Sequence, residues 1–138
     1  MYLMKSNVSL LRRLGAMSYD IFLVFSLMFF VTGVIIIVFF NTKAPNGNTL
    51  FYVVTIPITY LYFTWSWVKG RQTLGMKAWK FQIKQMSGNN ITHKQAFIRF
   101  ISAIFSFTIF GLGFLYQLFN KDNRTIHDKI SNTILIKN

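Results

Sequence analysis

The sequence contains no cysteine and no glutamate, and its only acids are Asp20, Asp122 and Asp128. Without cysteine there is no disulfide, no thiolate nucleophile and no thiolate metal ligand. So few carboxylates leave little with which to run acid and base chemistry, and enzyme activity is not expected. His93 and His127 lack any paired ligand spacing, so no metal centre is expected and His127 is placed at the surface of the tail. No phosphate-cradling glycine loop and no GxSxG motif occurs, and no cofactor is implied.

What the chain does have is positive charge and apolar length. Fifteen lysines and arginines give a net charge of +12, yet 53% of the 138 residues are hydrophobic and 18% are aromatic. The charge is not evenly spread, and the long uncharged stretches read as bilayer segments rather than as part of a nucleic-acid binder. Lys5, Arg12 and Arg13 precede the first apolar run as in a signal peptide, but the run is too long for one. No small-residue cleavage site follows, so the segment is expected to remain as an anchor.

The pattern predicts a single all-α membrane domain. A first span covers residues 14–40, with Gly15, Ala16 and Ser18 small enough to admit a neighbouring helix. A turn containing Pro45 and an Asn-Gly pair follows, then a second span at 50–68 kinked by Pro57. Trp65 and Trp67 suit an interfacial belt. Residues 69–95 form a basic amphipathic connector helix, with Gln72, Met76, Trp79 and Ile83 on one face. Arg71, Lys77, Lys80 and Lys84 are the candidate contacts to anionic lipid headgroups. From Lys80 to Met86 the residues alternate polar and apolar before Ser-Gly-Asn-Asn, so a strand competes with the helix there, and Thr133 to Lys137 could pair with it.

The third apolar segment, 96–119, carries a topological conflict. A simple crossing would put 10 of the lysines and arginines inside and 5 outside, whereas returning the tail, 120–138, to the cytoplasm gives 14 and 1. Gly111 and Gly113 mark a place to bend, so a re-entrant or broken helix is favoured over a third full span.

Asp20 is the residue that most demands explanation. A carboxylate within the hydrocarbon costs about 2.5 to 3.5 kcal/mol on insertion scales and normally faces a partner, a cavity or an ion path. Arg13 shares its helical face but lies roughly 10 Å away along the axis, too far for easy pairing. Tyr52, Thr55, Thr59, Tyr62 and Ser66 recur at helical intervals along the second span and offer Asp20 a polar surface. The plainer alternative is that these hydroxyls bond their own backbone or glue helices together.

The strings RRLGAMSYD (12–20), QTLGMKAWKFQI (72–83) and RTIHDKISNTILI (124–136), in this order, resemble the RDD family of bacterial membrane proteins over nearly the whole chain. The arginine and two aspartates of that family's name correspond to Arg13, Asp20 and Asp128. The resemblance implies a bacterial inner-membrane protein, some members having been proposed to exchange sodium or other monovalent cations for protons; Lys5, Arg12 and Arg13 put the N-terminus on the cytoplasmic side by the positive-inside tendency. Gly15 and Ser18 make the first helix smaller and more polar than that family's pattern.

Two functions follow as alternatives. In the first, Asp20 alternately binds H+ and Na+ or another monovalent cation, with oxygen ligands from Thr55 and Thr59. In the second, the chain is a scaffold or partner subunit whose buried charges are structural, with Asp20 paired to Arg99 or Arg71 and Asp128 to Arg13. So few short spans cannot easily enclose a pathway, and either function implies a homo-oligomer or a larger membrane partner.

Overall fold

The computed structural model describes residues 6–41, 47–109 and 111–138. Lys5, Pro45 and Asn46, and with them most of the expected turn, lie outside the described residues.

Helix α1 spans Leu10–Phe40, starting four residues earlier than the apolar run because the Ser9 hydroxyl accepts from the Arg12 N–H and caps it. Its 31 residues rise about 46 Å, more than a hydrocarbon core of about 30 Å requires. Arg13, Ala16, Asp20, Val24, Met28 and Thr32 form its buried stripe, while Phe22, Phe30 and Phe39 point outward. Among the described residues α1 is the one helix long and apolar enough to cross a membrane. Helix α2, Gly47–Lys69, has the length but carries tyrosines and threonines that lower its hydropathy. It contains Pro57 and packs beside α1.

The connector is not one helix. After α2 comes a single short helix α3, Leu74–Ala78, then strand β1, Phe81–Gln85. The helix stops because Lys80 takes a left-handed conformation (φ 56°), and the alternation that follows suits a strand with Phe81 and Ile83 inward. The amphipathic face expected from Gln72 to Ile83 is therefore split between two elements. β1 pairs antiparallel with β2, Thr133–Lys137, in the register Phe81↔Lys137, Ile83↔Leu135 and Gln85↔Thr133. The fold is thus mostly helical with a two-stranded sheet, and the alternative strand reading of both segments is the one realised.

The third apolar segment is broken into α4, His93–Thr108, and α5, Leu112–Phe119. The chain turns at Gly111, whose φ of 72° disfavours any residue with a Cβ, and Gly113 lies so close to Ser106 that a side chain there would collide with it. The return is anchored: Gln117 Nε2 donates to the Val8 carbonyl at 2.7 Å, and the Ser6 N–H donates to the Asp122 carbonyl at 3.0 Å. The end of α5 therefore lies beside the start of α1. A last short helix α6, Ile126–Ile130, leads into β2.

Val8, Ala16, Met76, Phe81, Ile83 and Leu135 form the core at this end together with Trp67, which is buried rather than interfacial; Trp65 is exposed. Of the small residues of α1, Gly15 lies against Trp79 and Ala16 against Gly75, whereas Ser18 faces out and bonds its own helix at the Leu14 carbonyl.

A Cβ at Gly75 would strike the Ala16 carbonyl and sit 2.9 Å from the Asp20 carboxyl carbon, whereas one at Gly33 would meet nothing within 4 Å. Gly75→Ala is expected to cost about 1 to 3 kcal/mol in detergent unfolding. Gly33→Ala is expected to be neutral or stabilising by up to about 1 kcal/mol; equal effects would contradict this packing.

Candidate functional site

Two buried carboxylates organise the interior, and they are held in different ways. Asp128 is the third residue of α6, where its backbone N–H meets the Thr125 hydroxyl and its Oδ2 accepts from the Thr125 N–H at 3.2 Å, a reciprocal capping box. This cap aims the carboxylate at two guanidiniums. Arg13 of α1 donates to Oδ2 at 2.5 Å and Arg99 of α4 donates to Oδ1. Arg13 also donates to Ser6 Oγ and the Asn123 carbonyl, and Arg99 donates to Thr133 Oγ1 while lying 5.3 Å over the Trp67 ring. Arg124 closes the cluster by donating to the Asp128 carbonyl at 3.1 Å.

Burial by itself pushes the Asp128 carboxyl up, but Arg99 and Arg13 outweigh it and hold the group well below the usual carboxylate range. His127, expected at the surface, is buried beside the cluster with Nε2 3.0 Å from Thr125 Oγ1. The short α6 is wedged against α4 and β2, so both His127 and Asp128 turn inward. Burial, reinforced by Arg99, pushes the imidazole down to about 3, and it is neutral at physiological pH.

Asp20 lies one level further along α1, and among the described residues it forms no ion pair. Its Oδ1 accepts from the Tyr62 hydroxyl at 2.8 Å and the Gly75 N–H at 2.9 Å, and its Oδ2 accepts from the Thr73 hydroxyl at 2.5 Å. One side chain thereby joins α1, α2 and the start of α3. The expected pairing of Asp20 with Arg99 or Arg71 does not occur: Arg99 is committed to Asp128, and Arg71 is exposed in a left-handed turn.

Of the hydroxyl stripe on α2, only Tyr62 touches Asp20. Thr55 and Thr59 line the same cavity, with Thr59 donating to the Thr55 carbonyl, whereas Tyr52 is exposed and Ser66 does not reach the cavity. Lys77 and Lys80 are exposed and Lys84 half-buried, scattered over a turn and a strand rather than aligned on one helix. The cavity, about 490 Å³, lies between α1, α2 and α4. Its walls are almost wholly apolar, with Arg13, Arg99 and His127 at one end and Asp20 on one side. No cluster of three metal-ligating side chains occurs among the described residues.

The arginine and the two aspartates singled out in the sequence thus occupy two linked buried polar sites, and the RDD family model matches residues 8–132. The chain belongs to the RDD family. No curated protein and no solved structure matches it. In this RDD protein sequence reasoning missed Thr73, Gly75, Thr125 and Arg124 as partners of the buried acids, and Thr133 as a partner of Arg99. Thr125 was detectable, because Thr-x-x-Asp in RTIHD is a capping pattern; Arg124 makes a local contact four residues along the chain, and Thr73, Gly75 and Thr133 are brought in by tertiary contact alone.

Asp128→Asn is expected to cost about 3 to 5 kcal/mol in detergent unfolding, since it leaves buried guanidiniums without their counter-charge. A loss below about 1 kcal/mol would contradict the clamp. Acid adds a second check: the unfolded chain takes up a proton on His127 below about 6.5 that the folded site refuses until about 3. Stability is therefore complete above that window and falls on acidification through it, by up to about 1.4 kcal/mol per pH unit. His127→Gln is expected to flatten the fall, measured as melting midpoint against pH.

Proposed function

We propose that this RDD-family chain is a membrane-embedded scaffold or partner subunit of the bacterial inner membrane, with both tails in the cytoplasm. The observation that supports this reading most is that each buried carboxylate joins three elements: Asp128 ties α1 and α4 to its own α6, and Asp20 ties α2 and α3 to its own α1. The cavity beside them is apolar and carries two guanidiniums, a poor path for a cation, which needs oxygen ligands. Exposed Arg71, Lys77 and Lys80, at the end of the molecule that carries the sheet, suit contact with anionic headgroups.

A second reading, exchange of a monovalent cation for a proton at Asp20, is favoured by two observations. Asp20 has no cationic partner among the described residues, and the Thr55 hydroxyl in the same cavity is buried without a hydrogen bond.

Purified protein in liposomes with a trapped pH dye separates the two. The scaffold reading expects no dye response to a step in external Na+, K+ or Li+, and a lowered melting midpoint for Asp20→Ala. A cation-dependent proton flux in wild type that is lost in Asp20→Asn, with that variant still inserted, would overturn it and establish exchange.

A further inference from the structure

The ion cluster at the foot of the cavity is out of balance. Arg13 and Arg99 are buried against the carboxylate of Asp128, Arg124 is buried against its main chain, and His127 beside them is uncharged at physiological pH. Two guanidiniums therefore share one carboxylate, and a third, that of Arg124, reaches only the main-chain oxygen of the same residue. The Nε of each arginine is buried without a hydrogen-bond partner. The chain is poorly equipped to supply the missing anion: it has three acids in all, Asp20 is taken by Tyr62, Thr73 and Gly75, and Asp122 forms no ion pair among the described residues. An excess of buried positive charge is strongly unfavourable unless a counter-charge is brought to it.

The cavity that opens onto this cluster indicates what carries the anion. It follows α1 from Arg13 to Ile21, α4 from Arg99 to Thr108 and α2 from Trp67 to Thr55, a slot roughly 12 to 18 Å long by helical rise. Its volume of about 490 Å³ falls within the range of small-ligand sites. Ala16, Ile21, Phe63, Phe100, Ala103 and Ile104 line it, and α1 and α4, on either side, make little direct contact with each other.

We propose that the slot holds one acyl chain of an anionic amphiphile, with its phosphate or carboxylate against the guanidiniums of Arg13 and Arg99. The planar N–H pairs of arginine match either acid. A zwitterionic lipid would fill the same walls yet leave the charge unmatched, so preference for an anionic head is the distinguishing property. This site is independent of whether Asp20 moves ions.

Trp67 lines the slot beneath Arg99 and serves as the reporter. In the Trp65→Phe, Trp79→Phe background it is the sole tryptophan, and a brominated chain entering the slot quenches it. The full-length protein in phosphatidylcholine nanodiscs is titrated with brominated phosphatidylglycerol, brominated phosphatidylcholine or a brominated fatty acid. Quenching is expected to half-saturate at about tenfold lower mole fraction for an anionic species than for phosphatidylcholine. Response to phosphatidylglycerol alone assigns the site to phospholipid, response to the fatty acid alone assigns it to the free acid, and either result supports the proposal. Ala103→Phe, which fills the slot away from the arginines, is expected to abolish the preference. Native mass spectrometry of the unaltered chain, read as retained phosphatidylglycerol, gives the same comparison without the tryptophan changes. Equal quenching by both head groups, no quenching by any probe, or a preference that survives Ala103→Phe would overturn the assignment.

Discussion

Asp128 is the point at which the chain is closed. Its carboxylate is out of reach of water and is held by Arg13, near the start of the chain, and Arg99, at the start of the third apolar segment. Because it belongs to the tail itself, these two bonds draw residues 115 and 29 positions away to one end of the molecule. The neighbouring contacts agree: Ser6 and Val8 bond to Asp122 and Gln117, and β2 completes a sheet with β1. With both tails fixed at one end, the third apolar segment has to turn back, and it does so at Gly111.

Asp20 has a different task. It is reached by three neutral donors and by no cation among the described residues, so it orients α3 against α1 and α2 without cancelling a charge. That arrangement requires Gly75, since any side chain there would displace the Ala16 backbone. Ala16 of α1 and Gly75 of α3 are therefore two halves of one close approach. The slot between α1 and α4 is what remains open after these contacts are made, with its cationic end at the Asp128 cluster.

Much of this was legible in the sequence because the chain has so few acids. An intramembrane carboxylate is costly enough to be noticed, and the imbalance of lysine and arginine across the expected faces already disfavoured a simple third crossing. Alternation in Lys80 to Met86 and in Thr133 to Lys137 exposed the sheet. The connector was misread as a helix because its apolar residues satisfy a helical spacing and a strand alternation at once, and only the pairing with β2 decides between them. The partner of Asp20 could not be read, since hydroxyls and a backbone N–H carry no charge signal. His127 looked solvated because sequence gives no account of how a five-residue helix is wedged.

The two tails lie at the same end of the molecule, and the absence of cysteine makes that directly measurable. Single cysteines at Asn7, Asn41 and Asn138 are probed in intact cells with a membrane-impermeant maleimide, before and after permeabilisation. Asn7→Cys and Asn138→Cys are expected to react together, and Asn41→Cys, at the far end of α1, oppositely. Labelling of Asn138→Cys with Asn41→Cys, and not with Asn7→Cys, would contradict that placement.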